Sequence, residues 1–227
     1  TIDGIQVEAE KGTSVLHAAE SVGIKIPTLC YIKDLLPDGS CRMCMVEIES
    51  RGRTKMETAC TAQVAEGLVV TTNSEKVRNA RRNILDMLLS NHKTDCFSCP
   101  SNGDCKLQEL CFEYGIERTT YSGEQTELPI DDSNKFFTYN PNLCILCHRC
   151  VNTCHKVVGR GAIDTMERGF DSAIGTPFHI DWADTNCESC GNCVQACPTG
   201  ALTMKRRKNY RKYQIDKKVL TTCPHCA

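Results

Sequence analysis

Fifteen of the 18 Cys residues in this chain, together with one His, form four blocks of possible metal ligands. Thiolate sulfur and imidazole nitrogen are donor atoms that bind iron and zinc in proteins. Because the N-terminus lacks the charged-then-apolar layout of an export signal, the cysteine content favours a metalloprotein over a secreted disulfide scaffold. The four blocks are Cys30, Cys41, Cys44 and Cys60; His92, Cys96, Cys99 and Cys105; Cys144, Cys147, Cys150 and Cys154; and Cys187, Cys190, Cys193 and Cys197.

The third and fourth blocks share the spacing CxxCxxCxxxC, as CILCHRCVNTC and CESCGNCVQAC. Three Cys at every third position can wrap a tight loop around a [4Fe–4S] cubane, and the fourth Cys then ligates the other cluster. We expect this fourth Cys to begin a helix that points away from its own loop. Zinc is the alternative, although zinc sites prefer paired CxxC knuckles separated by a longer loop. The predicted ligand sets are Cys144, Cys147, Cys150 and Cys197 for one [4Fe–4S] cluster, and Cys154, Cys187, Cys190 and Cys193 for the other.

The first block has ten residues between Cys30 and Cys41, two between Cys41 and Cys44, and fifteen between Cys44 and Cys60. This is a longer-looped relative of the plant-type spacing that holds a [2Fe–2S] cluster. The alternative for Cys60 is an ordinary buried thiol.

The second block reads HxxxCxxCxxxxxC and runs from His92 through Cys96 and Cys99 to Cys105. One imidazole and three thiolates can hold a [4Fe–4S] cluster, and a neutral His changes the charge around the cluster and hence its potential. Structural zinc is the alternative, since three Cys and one His are an ordinary zinc set.

The pattern of apolar residues predicts an α+β fold around these blocks. Strands are expected over 1–8, from Met45 onward and over 67–71, with helices over 13–22 and 74–91. The predicted domains are a β-grasp [2Fe–2S] domain over 1–73, a small helical His–Cys cluster domain with its connector over 74–135, a bacterial-type two-[4Fe–4S] ferredoxin domain over 136–204, and a basic linker with the start of a further motif over 205–227.

Three Cys stand outside the four blocks. Cys111 lies in a helical pattern and is expected to be a buried, inert thiol. Cys223 and Cys226 form a CxxC pair that cannot complete a cluster, so either a partner completes the site or the chain continues. The strongly basic stretch over 205–218 is interpreted as a solvated linker, with a docking strip for an acidic partner as the sharper alternative.

Composition and missing motifs exclude several function classes. The 27 basic and 28 acidic residues give a formal net charge of -1, which argues against general binding to nucleic acid or anionic membranes. The sequence carries no apolar run long enough for a membrane span and no nucleophile elbow, P-loop, dinucleotide fingerprint or HExxH motif. With no catalytic residues in this stretch, the predicted function is an electron relay through four iron–sulfur clusters.

The order of the four blocks resembles the N-terminal region shared by [FeFe]-hydrogenases, the large iron–sulfur subunit of respiratory complex I and NAD(P)-linked formate dehydrogenases. The resemblance covers residues 1 to about 204. The tail TTCPHCA resembles the entry to a molybdopterin oxidoreductase domain, which favours formate dehydrogenase and would make Cys223 and Cys226 the first two ligands of one more [4Fe–4S] cluster.

This resemblance implies a cytoplasmic, anaerobic enzyme that passes electrons between a molybdenum or tungsten pterin site for formate and the NAD(P) site. The implied partners are FMN- and NAD(P)-binding iron–sulfur subunits, with ferredoxin or a hydrogenase subunit as further ones. The alternatives are a stand-alone electron-transfer subunit of an NAD-linked hydrogenase or diaphorase complex, and a zinc-stabilised scaffold without redox activity.

Overall fold

The structure is a computed structural model that describes residues 1–206, 215–217 and 219–221. Its helices and strands are short, and its buried side chains gather into three apolar cores along the described chain. The tail pair Cys223 and Cys226 lies outside the described residues, as does most of the basic stretch. Within the described residues, no helix combines the length and the apolar character needed to cross a bilayer.

The first core lies between a helix and a three-stranded antiparallel sheet. The sheet has the order β2-β1-β3, and the side chain of Ser14 caps the helix by accepting from the backbone N–H of His17. Valine, isoleucine and alanine side chains of both layers fill the space between them. The bounds are α1 Val15–Ser21, β1 Met45–Ser50, β2 Arg53–Thr58 and β3 Val69–Thr71.

The predicted helix over 13–22 and the strands at Met45 and 67–71 are confirmed, but the strand over 1–8 is wrong. Asp3 and Gly4 both have positive φ angles and form a tight turn, so that Ile2 makes single bridges to Ile5 and Val70 instead of continuing a strand. An Asp-Gly pair favours this turn because both residues tolerate left-handed backbone.

The second core joins the first unit to two helices, α2 Glu75–Ser90 and α3 Lys106–Glu113. The helix predicted over 74–91 is confirmed, including its cap, because the Ser74 hydroxyl accepts from the backbone N–H of Val77. Leucines of both helices pack here against cysteines from three of the four blocks. The apolar faces of α2 and α3 therefore hold the ligand loops next to one another.

The third core belongs to the C-terminal unit. The ring of Phe137 contacts Trp182 edge-on, and the ring of Tyr139 contacts it at a tilt. The three rings together shield the cysteine loops from one side. Strands β4 and β7 pair with each other, as do β5 and β6, all antiparallel. The bounds are β4 Phe137–Tyr139, α4 Arg149–Asn152, β5 Asp164–Met166, β6 Ala173–Gly175, α5 Asn192–Ala196 and β7 Leu202–Met204, with a π-helical turn over Thr153–Val158.

Candidate metal centres

The four Cys of the first block are buried and lie close together at the end of the N-terminal sheet. Cys41 and Cys44 lie on the loop that enters β1, and Cys60 follows β2, where the backbone N–H of Ala59 donates to the carbonyl of Cys44 at 2.9 Å. A hydrogen bond from Cys41 lowers the pKa of Cys30 to about 5, and one from Cys60 lowers that of Cys44 to about 7. Thiols that share protons in this way are close enough to act as one ligand set.

Cysteines of the third and fourth blocks line two recesses, and each recess takes one Cys from the other block. The sequence prediction placed Cys197 with the third block and Cys154 with the fourth, and the structure brings the side chains together in that arrangement. The first recess is lined by Cys144, Cys147, Cys150 and Cys197, and the second by Cys154, Cys187, Cys190 and Cys193.

Electrostatic effects arise mainly within each recess, although Cys193 of the second recess also raises the pKa of Cys150. Burial raises the pKa of Cys150 well above its usual value, and the thiolate charges of Cys144, Cys147 and Cys197 raise it further. Burial raises the pKa of Cys193 to about 12, again with contributions from the Cys of its own recess, including Cys154. The thiols of Cys150 and Cys193 are therefore protonated at neutral pH without metal, and metal binding to them must release protons.

The expectation that the fourth Cys begins a helix is wrong. Cys197 directly follows α5, and Cys154 lies in the π-helical turn after α4. The third Cys of each loop, Cys150 or Cys193, lies within the short helix instead. A helical backbone advances about 1.5 Å per residue, so the fourth Cys lies about 6 Å beyond the third along the helix axis. This displacement brings the fourth Cys toward the other recess.

The two CxxCxxC loops wind in the same way, which the sequence repeat alone does not show. Leu146 and Ser189 have positive φ angles at equivalent positions, two residues after the first Cys of each loop. Their backbone N–H groups donate to the sulfur atoms of Cys144 and Cys187, each at 3.4 Å. Each loop thus directs a backbone donor at the sulfur of its first Cys.

The second block is only partly assembled. Cys96, Cys99 and Cys105 face one another closely enough for the charge of Cys99 to raise the pKa of the other two, after the larger effect of burial. His92 is buried just beyond the end of α2, and burial lowers its pKa to about 4. Its Nδ1 atom has no hydrogen-bond partner among the described residues. A neutral, buried and unpaired ring nitrogen fits a metal ligand.

Within the described residues, no hydrogen bond joins His92 to the three thiols. Taken over the same residues, no three His, Cys, Asp or Glu side chains are arranged to hold a single metal ion. Support for iron–sulfur clusters at the four blocks comes instead from the shared recesses, the donor types and the unpaired Nδ1 atom of His92.

Cys111 lies on the buried face of α3, as predicted. Burial raises the pKa of its thiol to about 12, and the charges of Cys105 and Cys96 add to this effect. A thiol with so high a pKa remains protonated and unreactive at neutral pH.

Arg149 connects the first block to the C-terminal unit, and its position between Cys147 and Cys150 is the sequence signal that points toward this role. Its Nη1 atom donates to the carbonyl of Tyr31, next to Cys30, at 2.6 Å, and its Nε atom donates to the carbonyl of Ala196 at 2.6 Å. One guanidinium thus holds together loops from three of the four blocks.

Gly200, which has no side chain, allows the C-terminal unit to pack closely against the second block. A Cβ atom at this position would lie 2.7 Å from the sulfur of Cys99 and 3.3 Å from Cδ1 of Leu143. We expect Gly200→Ala to displace Cys99 at a cost of about 1–3 kcal/mol and to lower the iron bound by the second block. Iron analysis together with EPR of the reduced protein would measure this.

Gly123→Ala is the matched control, because a Cβ atom there meets nothing within 4 Å. Equal iron content in the two variants would contradict the close packing of Gly200 against Cys99.

Three protein-family models match consecutive parts of the chain. A 2Fe-2S iron-sulfur cluster binding domain matches residues 1–75, and the NADH-ubiquinone oxidoreductase-G iron-sulfur binding region matches residues 81–120. The ferredoxin-like domain of NADH-quinone oxidoreductase subunit 3 matches residues 135–203.

Similar proteins are subunits of NAD(P)H-linked oxidoreductases. A G-type NADH-quinone oxidoreductase subunit of Rhizobium meliloti is 42% identical over all of this chain and 26% of its own length. The alpha subunit of the NADPH-Fe(3+) oxidoreductase of Geobacter sulfurreducens is 40% identical, also over all of this chain and 26% of its own length. The chain thus spans about a quarter of the length of these curated relatives.

A solved structure of NAD+-reducing [NiFe]-hydrogenase in the H2-reduced state contains a chain with the same fold. The TM-score is 0.84 at 31% identity, and the match covers 91% of this chain and 87% of that one. The chain therefore belongs to the family of N-terminal iron–sulfur regions found in the G-type subunits of NADH-quinone oxidoreductase and in the NADH-ubiquinone 78 kDa subunit, a region shared with hydrogenases.

Proposed function

We propose that this chain is a multi-cluster electron relay within an NAD(P)-linked oxidoreductase. The observation that carries the proposal is the second core, in which Cys30 and Cys41 of the first block pack with Cys147 of the third and Cys105 of the second. Ligand loops that share one apolar core leave no solvent layer between their sites. That arrangement suits the passage of electrons from site to site.

The proposal assigns every member of the four blocks to a cluster. When bound, iron–sulfur clusters accept and release single electrons. The chain's own side chains hold the iron, exclude water and donate hydrogen bonds to sulfur, which together set the potential of each site. The assignments are Cys30, Cys41, Cys44 and Cys60 to a [2Fe–2S] cluster, and to [4Fe–4S] clusters His92, Cys96, Cys99 and Cys105; Cys144, Cys147, Cys150 and Cys197; and Cys154, Cys187, Cys190 and Cys193.

The relay has one site close to the surface. Cys190 is exposed, whereas Cys147 and Cys150 of the neighbouring recess are buried. We infer that electrons pass between this chain and other parts of the enzyme near Cys190, while the first recess serves as an internal step.

More specifically, we propose that the enzyme containing this chain is a cytoplasmic formate dehydrogenase. The electrons would come from formate at a molybdenum or tungsten pterin site and reach NAD(P) through an FMN-containing partner subunit. The support is the sequence tail, where Cys223 and Cys226 would begin a further [4Fe–4S] site. The domain bounds and the β-grasp and two-cluster ferredoxin assignments belong to the same proposal.

The second candidate is the relay subunit of an NAD-linked hydrogenase. The similarity of this chain to one from NAD+-reducing [NiFe]-hydrogenase, over nine-tenths of its residues, favours it. Both candidates predict the same clusters and differ in the electron donor.

The test is anaerobic purification of the complete natural polypeptide with its co-purifying subunits. Iron and acid-labile sulfide should match one [2Fe–2S] and three [4Fe–4S] clusters, with any tail cluster added. EPR signals should develop with NADH or NADPH, and then with formate or H2 according to the candidate. A protein that contains zinc and no sulfide would overturn the relay.

Replacing His92 with Cys should leave a cluster in the second block but lower its midpoint potential. The added thiolate places one more negative charge beside the iron than a neutral imidazole does, and this disfavours reduction. An EPR-monitored redox titration measures the shift. An unchanged potential would show that the buried ring of His92 is not a ligand.

A further inference from the structure

Arg81 carries a buried guanidinium on the face of α2 that contacts the start of β1. Only 3% of the residue is exposed. Its Nη2 atom donates to the carbonyl of Met45, the residue after Cys44, at 2.8 Å, and its Nη1 atom donates to the hydroxyl of Tyr114 at 3.0 Å. Leu85, one turn further along the same face, packs in the core that contains Cys30 and Cys41.

No carboxylate of the described residues pairs with this buried cation. None of the described carboxylates forms an ion pair with Arg81, and its Nε atom has no hydrogen-bond partner among the described residues. A buried charge whose only partners are a carbonyl and a phenol is costly, because these groups replace only part of its hydration. Met45, which accepts the hydrogen bond from Arg81, directly follows Cys44, so thiolates of the first block would supply a negative charge nearby.

We infer that Arg81 is a positioning residue whose positive charge raises the reduction potential of the [2Fe–2S] site. This inference rests on the proposed function, since it requires a cluster at Cys30, Cys41, Cys44 and Cys60. Four thiolates give the loaded site a net negative charge, and reduction adds one electron without breaking a bond. A fixed positive charge in a medium of low dielectric constant stabilises the more negative, reduced form.

The test compares Arg81→Gln with Arg81→Lys in the cluster-loaded protein. Both variants lose the guanidinium fork and keep a hydrogen-bond donor, so that they differ chiefly in charge. An EPR-monitored titration against external redox mediators should give a lower midpoint potential for Arg81→Gln. We expect the reduced-to-oxidised ratio at a fixed potential to fall about tenfold, or about 59 mV for one electron. Arg81→Lys should remain close to wild type.

Arg82→Gln is the matched control, because Arg82 is the next residue of α2 and is exposed. Its potential should equal that of wild type. Loss of the cluster in Arg81→Gln alone would also support a role for the charge at this position, since Arg81→Lys keeps that charge.

Equal potentials in Arg81→Gln and Arg81→Lys would overturn the inference, as would cluster loss in both, because shape rather than charge would then be essential. Absence of a [2Fe–2S] signal from the wild-type protein is a different failure. That result would overturn the proposed function itself, and the role of Arg81 with it.

Discussion

Replacing Cys154 with Ser is expected to remove the [4Fe–4S] site of the fourth block and to leave the site of its own motif intact. Cys154 lines the recess of Cys187, Cys190 and Cys193, whereas Cys197 closes the recess of the third block. EPR of the reduced protein should lose most of one [4Fe–4S] signal, and iron content should fall accordingly. The reciprocal variant, Cys197→Ser, should remove the other signal.

Cys111→Ser is the control for both variants, because Cys111 is a buried thiol that lines neither of the two recesses. It should keep the full iron content and all signals. If Cys154→Ser removed the third-block signal instead, each motif would hold its own cluster and the crossed assignment would be wrong.

Leu85→Ala should destabilise the whole described unit. Leu85 is fully buried where α2 meets α3 and the ligand loops of Cys30, Cys41 and Cys147. Truncating a fully buried leucine removes its transfer free energy and leaves a cavity, which together cost about 2–5 kcal/mol. The midpoint of urea unfolding, followed by loss of the cluster absorbance, should shift to a correspondingly lower concentration.

Met87→Ala is the control on the same helix, since Met87 is 53% exposed. Its unfolding midpoint should change little. A similar shift in both variants would contradict the conclusion that the cost of Leu85→Ala comes from its burial in the shared core.

The spacing of cysteines carried most of the information available without a structure. A metal loop such as CILCHRC is local, so its geometry follows from a few neighbouring residues. Helix α2 was predictable for the same reason, since Ser74 caps it within one turn. The strand over 1–8 failed because a local turn signal, Asp3-Gly4, overrode an alternating apolar pattern.

The crossed pairing of Cys154 and Cys197 was predicted from the motif, but the direction of the helices was not. The backbone path between the third and fourth Cys depends on how α4 and α5 pack against each other. That contact joins residues far apart in sequence, and no spacing rule encodes it.

By itself, the sequence determined the types of the candidate ligands, their grouping into four blocks and the main helices, because each depends on residues close together along the chain. Only the tertiary structure decided which distant groups support the ligands. Arg149 reaches Tyr31, Gly200 allows Cys99 to approach, and Arg81 is buried beside Met45 without a carboxylate partner among the described residues. These contacts arise when separate cores pack together, and the free energy that selects them comes from burial summed over many side chains.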